Sequence, residues 1–126
     1  MSSIVRATSP AVPEPQPGTW SNCLVVDGVA YFAGATSPGE DEYAQAKGIL
    51  TKIKHLVEAA GGSMADIVKV TVFVTDIKNR EKVWKARQEF FAGNFPASTL
   101  VQVAALARPE IKVEIDAIAH IGAGKR

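Results

Sequence analysis

Glu114 is the ionisable residue whose surroundings first suggest chemistry. It sits in Lys112-Val113-Glu114-Ile115-Asp116-Ala117-Ile118-Ala119, where polar and apolar residues alternate. Alternation places it mid-strand, on the face it shares with Lys112 and Asp116. On pattern alone that face is solvated and its charges serve solubility. The functional alternative is a partly desolvated carboxylate at a subunit seam, acting as a base toward water. Other side chains offer less. His55 falls off the apolar stripe of a helical segment, and His120 lies on the polar side of the last strand, so both read as surface residues. Cys23, at the start of a strand, reads as a small buried hydrophobe rather than a nucleophile. No closely spaced set of His and Cys offers a metal site, so neither metal nor cofactor is expected. Gly34-Ala35-Thr36-Ser37-Pro38-Gly39 follows a strand but lacks the Lys of a phosphate loop and the spacing of a dinucleotide fingerprint.

The elements that must position these residues can be read in order. Asp27-Gly28 between two apolar runs predicts a type I′ hairpin. From Asp41 to Ala60 the apolar residues recur at three-and-four spacing, one face of a long helix stopped by Gly61-Gly62. Ile67 to Thr75 is a strand with Val68, Val70, Val72 and Val74 on one face. Ile67 and Phe73 make its other face half apolar, so it is expected to be central and covered on both sides. Asn79 to Ala92 predicts a second helix with Val83, Trp84, Arg87, Phe90 and Phe91 on one stripe. Thr99 to Leu106 and Ile111 to Ile121 predict the last two strands. The whole is an α+β fold, a mixed sheet with two helices on one face. Two helices leave the other face bare, which argues for a homo-oligomer packed sheet on sheet.

Composition bounds the function. The 126 residues make one domain, 1–126, whose N-terminal segment 1–18 carries a proline-rich surface loop. Fourteen Lys and Arg against 13 Asp and Glu leave a net charge of +1, which asks for neither nucleic acid nor an anionic membrane. No apolar stretch approaches a membrane span, and no signal peptide is expected. A lone cysteine points to a reducing, cytoplasmic setting.

Taken together, several motifs resemble one family. They are Ala59-Ala60-Gly61-Gly62, the run from Asp66 to Asp76, Phe90-Phe91, Phe95-Pro96-Ala97 and the run from Lys112 to Ala119. In this order and spacing, from about residue 5 to 121, they look like the Rid family. These are the YjgF-type reactive intermediate deaminases, also labelled endoribonuclease L-PSP. The resemblance implies a chorismate-mutase-like α+β fold assembled as a homotrimer, with small-molecule sites in the clefts between subunits. It implies hydrolysis of short-lived enamines and imines to a keto acid and ammonia, without metal or organic cofactor. In the family an Arg clamps the substrate carboxylate and a Glu positions or activates the water.

The family Glu falls on Glu114. The family Arg falls on Ser98, and the cysteine two residues beyond it on Leu100. The Ser-Gly-Gln after the hairpin becomes Ala33-Gly34-Ala35, a loop Tyr becomes Trp20, and an Asn of the second helix becomes Trp84. Serine cannot hold a carboxylate with two parallel ionic bonds, so an altered substrate range is expected. Arg87, one turn after Trp84, is a candidate replacement for the cation; a salt bridge or cation–π contact is the competing use. For Trp20 and Trp84 the competing use is packing. The expected function is an enamine/imine hydrolase, with Ser98 in an inter-subunit cleft within reach of Glu114. The alternative is a non-catalytic small-molecule or protein-binding trimer. An endoribonuclease is the least favoured, because no basic–aromatic stripe is present.

Overall fold

A two-residue strand, β1 (Val5–Arg6), opens the structure, a computed structural model that describes residues 3–93 and 95–124. It pairs antiparallel with β2 (Cys23–Val26), and the proline-rich segment runs between them. Asp27 and Gly28 then take φ of 52° and 76°, the left-handed pair that a type I′ turn needs, and lead into β3 (Val29–Ala35).

Helix α1 (Glu42–Ala59) starts where the Asp41 carboxylate accepts from the Ala44 N–H at 2.9 Å. It ends before Gly61, whose φ of 92° only glycine adopts without strain. Ala46, Ile49, Leu50, Ile53, Leu56 and Val57 form its buried stripe, as their spacing predicts. Strand β4 (Ile67–Val74), helix α2 (Arg80–Phe90), strand β5 (Ala97–Gln102) and strand β6 (Val113–His120) complete the chain. The sheet order is β1-β2-β3-β6-β4-β5, antiparallel throughout except for the parallel pair β4 and β5. Both helices lie on one face, over the buried rows Val70, Val72, Val74 and Val113, Ile115, Ala117, Ala119.

Four expectations need correction. Val68 does not join the buried valines. The β4–β6 register slips between Ile67 and Lys69, which turns Val68 outward, 42% exposed. On α2 the buried positions are Val83 and Ala86, while Trp84 points out, 39% exposed. Strand β5 starts and stops earlier than 99–106. Its backbone partner β4 ends at Val74, and the last bond of the pair runs from Val103 N–H to the Val74 carbonyl at 2.8 Å. In this chain β4 is covered on one face only. The outer face carries Tyr31 and Val101 exposed, with Phe73 and Ile118 half-buried.

Two buried polar side chains, given no role in the sequence reading, hold the layers in place. Gln45 accepts from the Lys112 and Val113 N–H groups at 2.8 and 3.3 Å and donates to the Gly39 and Glu110 carbonyls. It thereby ties α1 to the start of β6. Asp66 accepts from the N–H groups of Ser63, Gly122 and Gly124 at 3.0, 2.9 and 2.8 Å, fastening the chain after β6 to the start of β4.

Candidate functional site

Glu114 stands on the outer face of β6, in one cross-strand row with Phe73 of β4 and Val101 of β5. On its other side β3 is irregular. Phe32 pairs with Ala117 and Ala35 with Ile115, so Ala33 and Gly34 together oppose one residue. That bulge brings the Gly34 backbone against the Glu114 side chain. A Cβ at Gly34 would overlap the carboxylate, so any larger residue there would displace the Glu114 side chain. Burial raises the Glu114 pKa, and the negative charge of Asp116 on the same face raises it further. Among the described residues none donates a hydrogen bond or forms an ion pair with this carboxylate. It is therefore free to accept a proton.

Gly34 also lines a small pocket of about 150 Å³ with Trp20, Asn22, Ala33, Ala35 and Lys52. Trp20 is more than half exposed there. Lys52, missed in the sequence, reaches from α1 to donate to the Thr36 carbonyl at 2.6 Å. Nothing in the helical pattern distinguishes it from the other solvent-side lysines of α1.

The remaining residues gather elsewhere. Arg87 Nη1 donates to Ser98 Oγ at 2.7 Å, and Trp84, Arg87, Gln88 and Phe95 line a depression of about 350 Å³. Leu100 packs against the hydrophobic core. Register separates this cluster from Glu114. Ser98 pairs with Val70, on the helix side, whereas Glu114 pairs with Phe73, on the outer side. Within the chain Ser98 is therefore not within reach of Glu114; the expectation concerned a cleft between subunits. They sit on opposite faces, with β4 between their strands, and two strand spacings alone amount to about 10 Å.

The other candidates match their plainer readings. Cys23 is fully buried, and burial pushes its thiol up to about 11, which leaves it protonated. His55 and His120 are exposed. Among the described residues no group of three or more His, Cys, Asp or Glu is placed to hold a metal. No described helix is long and apolar enough to cross a membrane.

A sequence model of the endoribonuclease L-PSP family matches residues 13–121. The chain belongs to that family. Solved structures superpose over most of it. A protein of unknown function from Pseudomonas aeruginosa is 39% identical, with a TM-score of 0.90 over 97% of this chain and 95% of that one. A Mycobacterium tuberculosis member of the YjgF/YER057c/UK114 family is 28% identical, with a TM-score of 0.83 over 96% and 100%. RidA from an Antarctic Psychrobacter is 32% identical, with a TM-score of 0.79 over 86% and 93%. This L-PSP family member thus carries two clusters: on the sheet, a carboxylate with no partner among the described residues beside a glycine bulge, and along α2, a guanidinium beside aromatic rings.

Proposed function

We propose that the protein is an enamine/imine hydrolase of the Rid type, with Glu114 as the base that activates water. One observation carries the reading. A half-buried carboxylate with raised pKa and no donor among the described residues lies where a glycine leaves its oxygens open. In the step proposed, water adds to the carbon of the C=N bond while Glu114 accepts its proton. That proton passes to the nitrogen to give a carbinolamine; the proton of the new hydroxyl then moves to the nitrogen as the C–N bond breaks, so ammonia leaves and a carbonyl remains.

Ser98 and Glu114 face opposite sides of one sheet, so this reading needs a homotrimer in which the clusters meet across a seam. Trp20, Gly34 and Ala35 then flank Glu114 from one subunit, and Trp84, Arg87, Ser98 and Leu100 approach from its neighbour. The test is ammonia release from freshly generated imines of 2-oxo acids, native protein against Glu114→Ala. A loss of about a hundredfold is expected for a removed general base; equal rates across the panel would overturn the reading. Ser98 and Leu100, which supply no charge, favour the second reading, a non-catalytic binding trimer. Ligand-induced thermal shifts with no turnover would select it. RNA cleavage, which the family description names, finds little support in a chain of net charge +1.

A further inference from the structure

Lys52 is half-buried, whereas Lys47 and Lys54 of the same helix are exposed. Among the described residues its ammonium forms no ion pair, and it donates instead to the Thr36 carbonyl at 2.6 Å. That bond ties α1 to the chain just past β3, where the printed pairing with β6 has ended at Ala35 opposite Ile115. A charged donor makes such a bond roughly twice as strong as a neutral one.

The tie bears on Gly34, two residues before Thr36. On its other side the Ala33 N–H donates to the Asn22 carbonyl at 2.9 Å. Gly34 therefore lies between two anchors, one from the chain ahead of β2 and one from α1. A bulge takes its residues out of regular strand pairing, so bonds of this kind set where the glycine sits. Its backbone in turn closes on the Glu114 carboxylate.

Neither packing nor charge duplicates the tie. Cavities of about 150 and 290 Å³ both have Thr36 and Lys52 in their linings, so open space borders the bond. A cation close to Glu114 would lower its pKa, yet the causes acting on that carboxyl are burial and Asp116. The connection from Lys52 to Glu114 is mechanical and runs through the backbone.

We propose that Lys52 is a positioning residue for Glu114: by holding the Thr36 carbonyl it keeps the Gly34 backbone against the carboxylate and limits its access to water. Only the consequence for turnover rests on the hydrolase reading above.

The test follows the Glu114 carboxyl carbon by NMR through a pH titration of the full chain, its signal assigned by its loss in Glu114→Gln. Lys52→Met keeps the apolar stem and removes the donor. Water then reaches the carboxylate, and its midpoint should fall by about half a pH unit toward the ordinary value. Lys52→Arg still donates to the carbonyl and should keep the native midpoint. The other ionisable groups on that face are Asp116 and His120 of β6, Lys69 of β4 and Tyr31 of β3, and all stay in place. Lys52→Gln, polar but one bond shorter, gives the same reading if the Met variant does not fold. A merely structural lysine would lower the melting temperature and leave the midpoint alone. An unmoved midpoint in the folded Met or Gln variant, or an equal shift in Lys52→Arg, would overturn the proposal. Where the protein hydrolyses imines, Lys52→Met should lower kcat about tenfold with KM little changed. A shifted midpoint in a protein that releases no ammonia supports the positioning role and counts against the hydrolase reading alone.

Discussion

At Glu114 two causes act in the same direction: burial first, then the charge of Asp116. Both hold the carboxyl protonated to higher pH than in an open chain. A base works only when deprotonated, so activity should rise with pH through this raised pKa, above the ordinary carboxylate range. Asp116→Asn removes the second cause and should shift that ascending limb to lower pH, read from a pH–rate profile. The stability consequence has the opposite sense. A carboxyl whose folded pKa is raised binds its proton more tightly in the folded state, so its contribution is lost as pH rises through that pKa. Glu114→Gln should therefore stabilise the protein at neutral pH, by no more than about 1 kcal/mol given solvent screening. The gain should vanish once the pH falls below the ordinary carboxylate value, where both chains are neutral. Thermal melts at several pH values check this.

The elements depend on a few buried polar groups more than their hydrophobic spacing suggests. Gln45 satisfies two N–H groups and two carbonyls around the loop that feeds β6. Gln45→Leu is nearly equal in volume but serves none of them, and it should cost about 2–4 kcal/mol in urea unfolding. Because β6 carries Glu114, the variant should also lower activity at temperatures where it remains folded. Asp66 plays the matching part at the other end of β6, through the Gly122 and Gly124 N–H groups. Asp66→Ala should speed hydrogen exchange at those amides ahead of the α1 core, because it releases a segment rather than the fold.

For the whole molecule the bare sheet face is the ground on which an assembly is expected. Tyr31 and Val101 are exposed on it and Phe73 and Ile118 half-buried, while the opposite face is sealed by both helices. Light scattering at micromolar concentration should give a trimer. Val101→Asp, which places a charge in the row beside Phe73 and Glu114, should dissociate it. Mixing offers a sharper check. Glu114→Ala and Arg87→Ala subunits, each inactive alone, should regain activity when co-assembled if the two clusters meet across a seam. A mixture as inactive as its components would place both clusters in separate roles.

Local interactions made much of this legible from residues alone. The Asp27-Gly28 turn, the α1 stripe, its stop before Gly61 and the alternation through β6 are each set within a few positions of sequence, where period and turn chemistry act directly. The candidate site was legible only as types: a mid-strand Glu114, a nearby Arg87, and Ser98 where the resemblance implies an arginine. Register decided the rest. A slip at Val68 and a bulge at Ala33 and Gly34 are pairing events between strands far apart in the chain, and no local pattern encodes them. The same holds for Gln45 and Asp66, ordinary surface residue types until the loops they serve fold over them. Since side chains alternate along a strand, the odd separation between Ala117, in register with Ser98 through Val70, and Glu114 sent Glu114 and Ser98 to opposite faces. Only the assembled sheet could decide that.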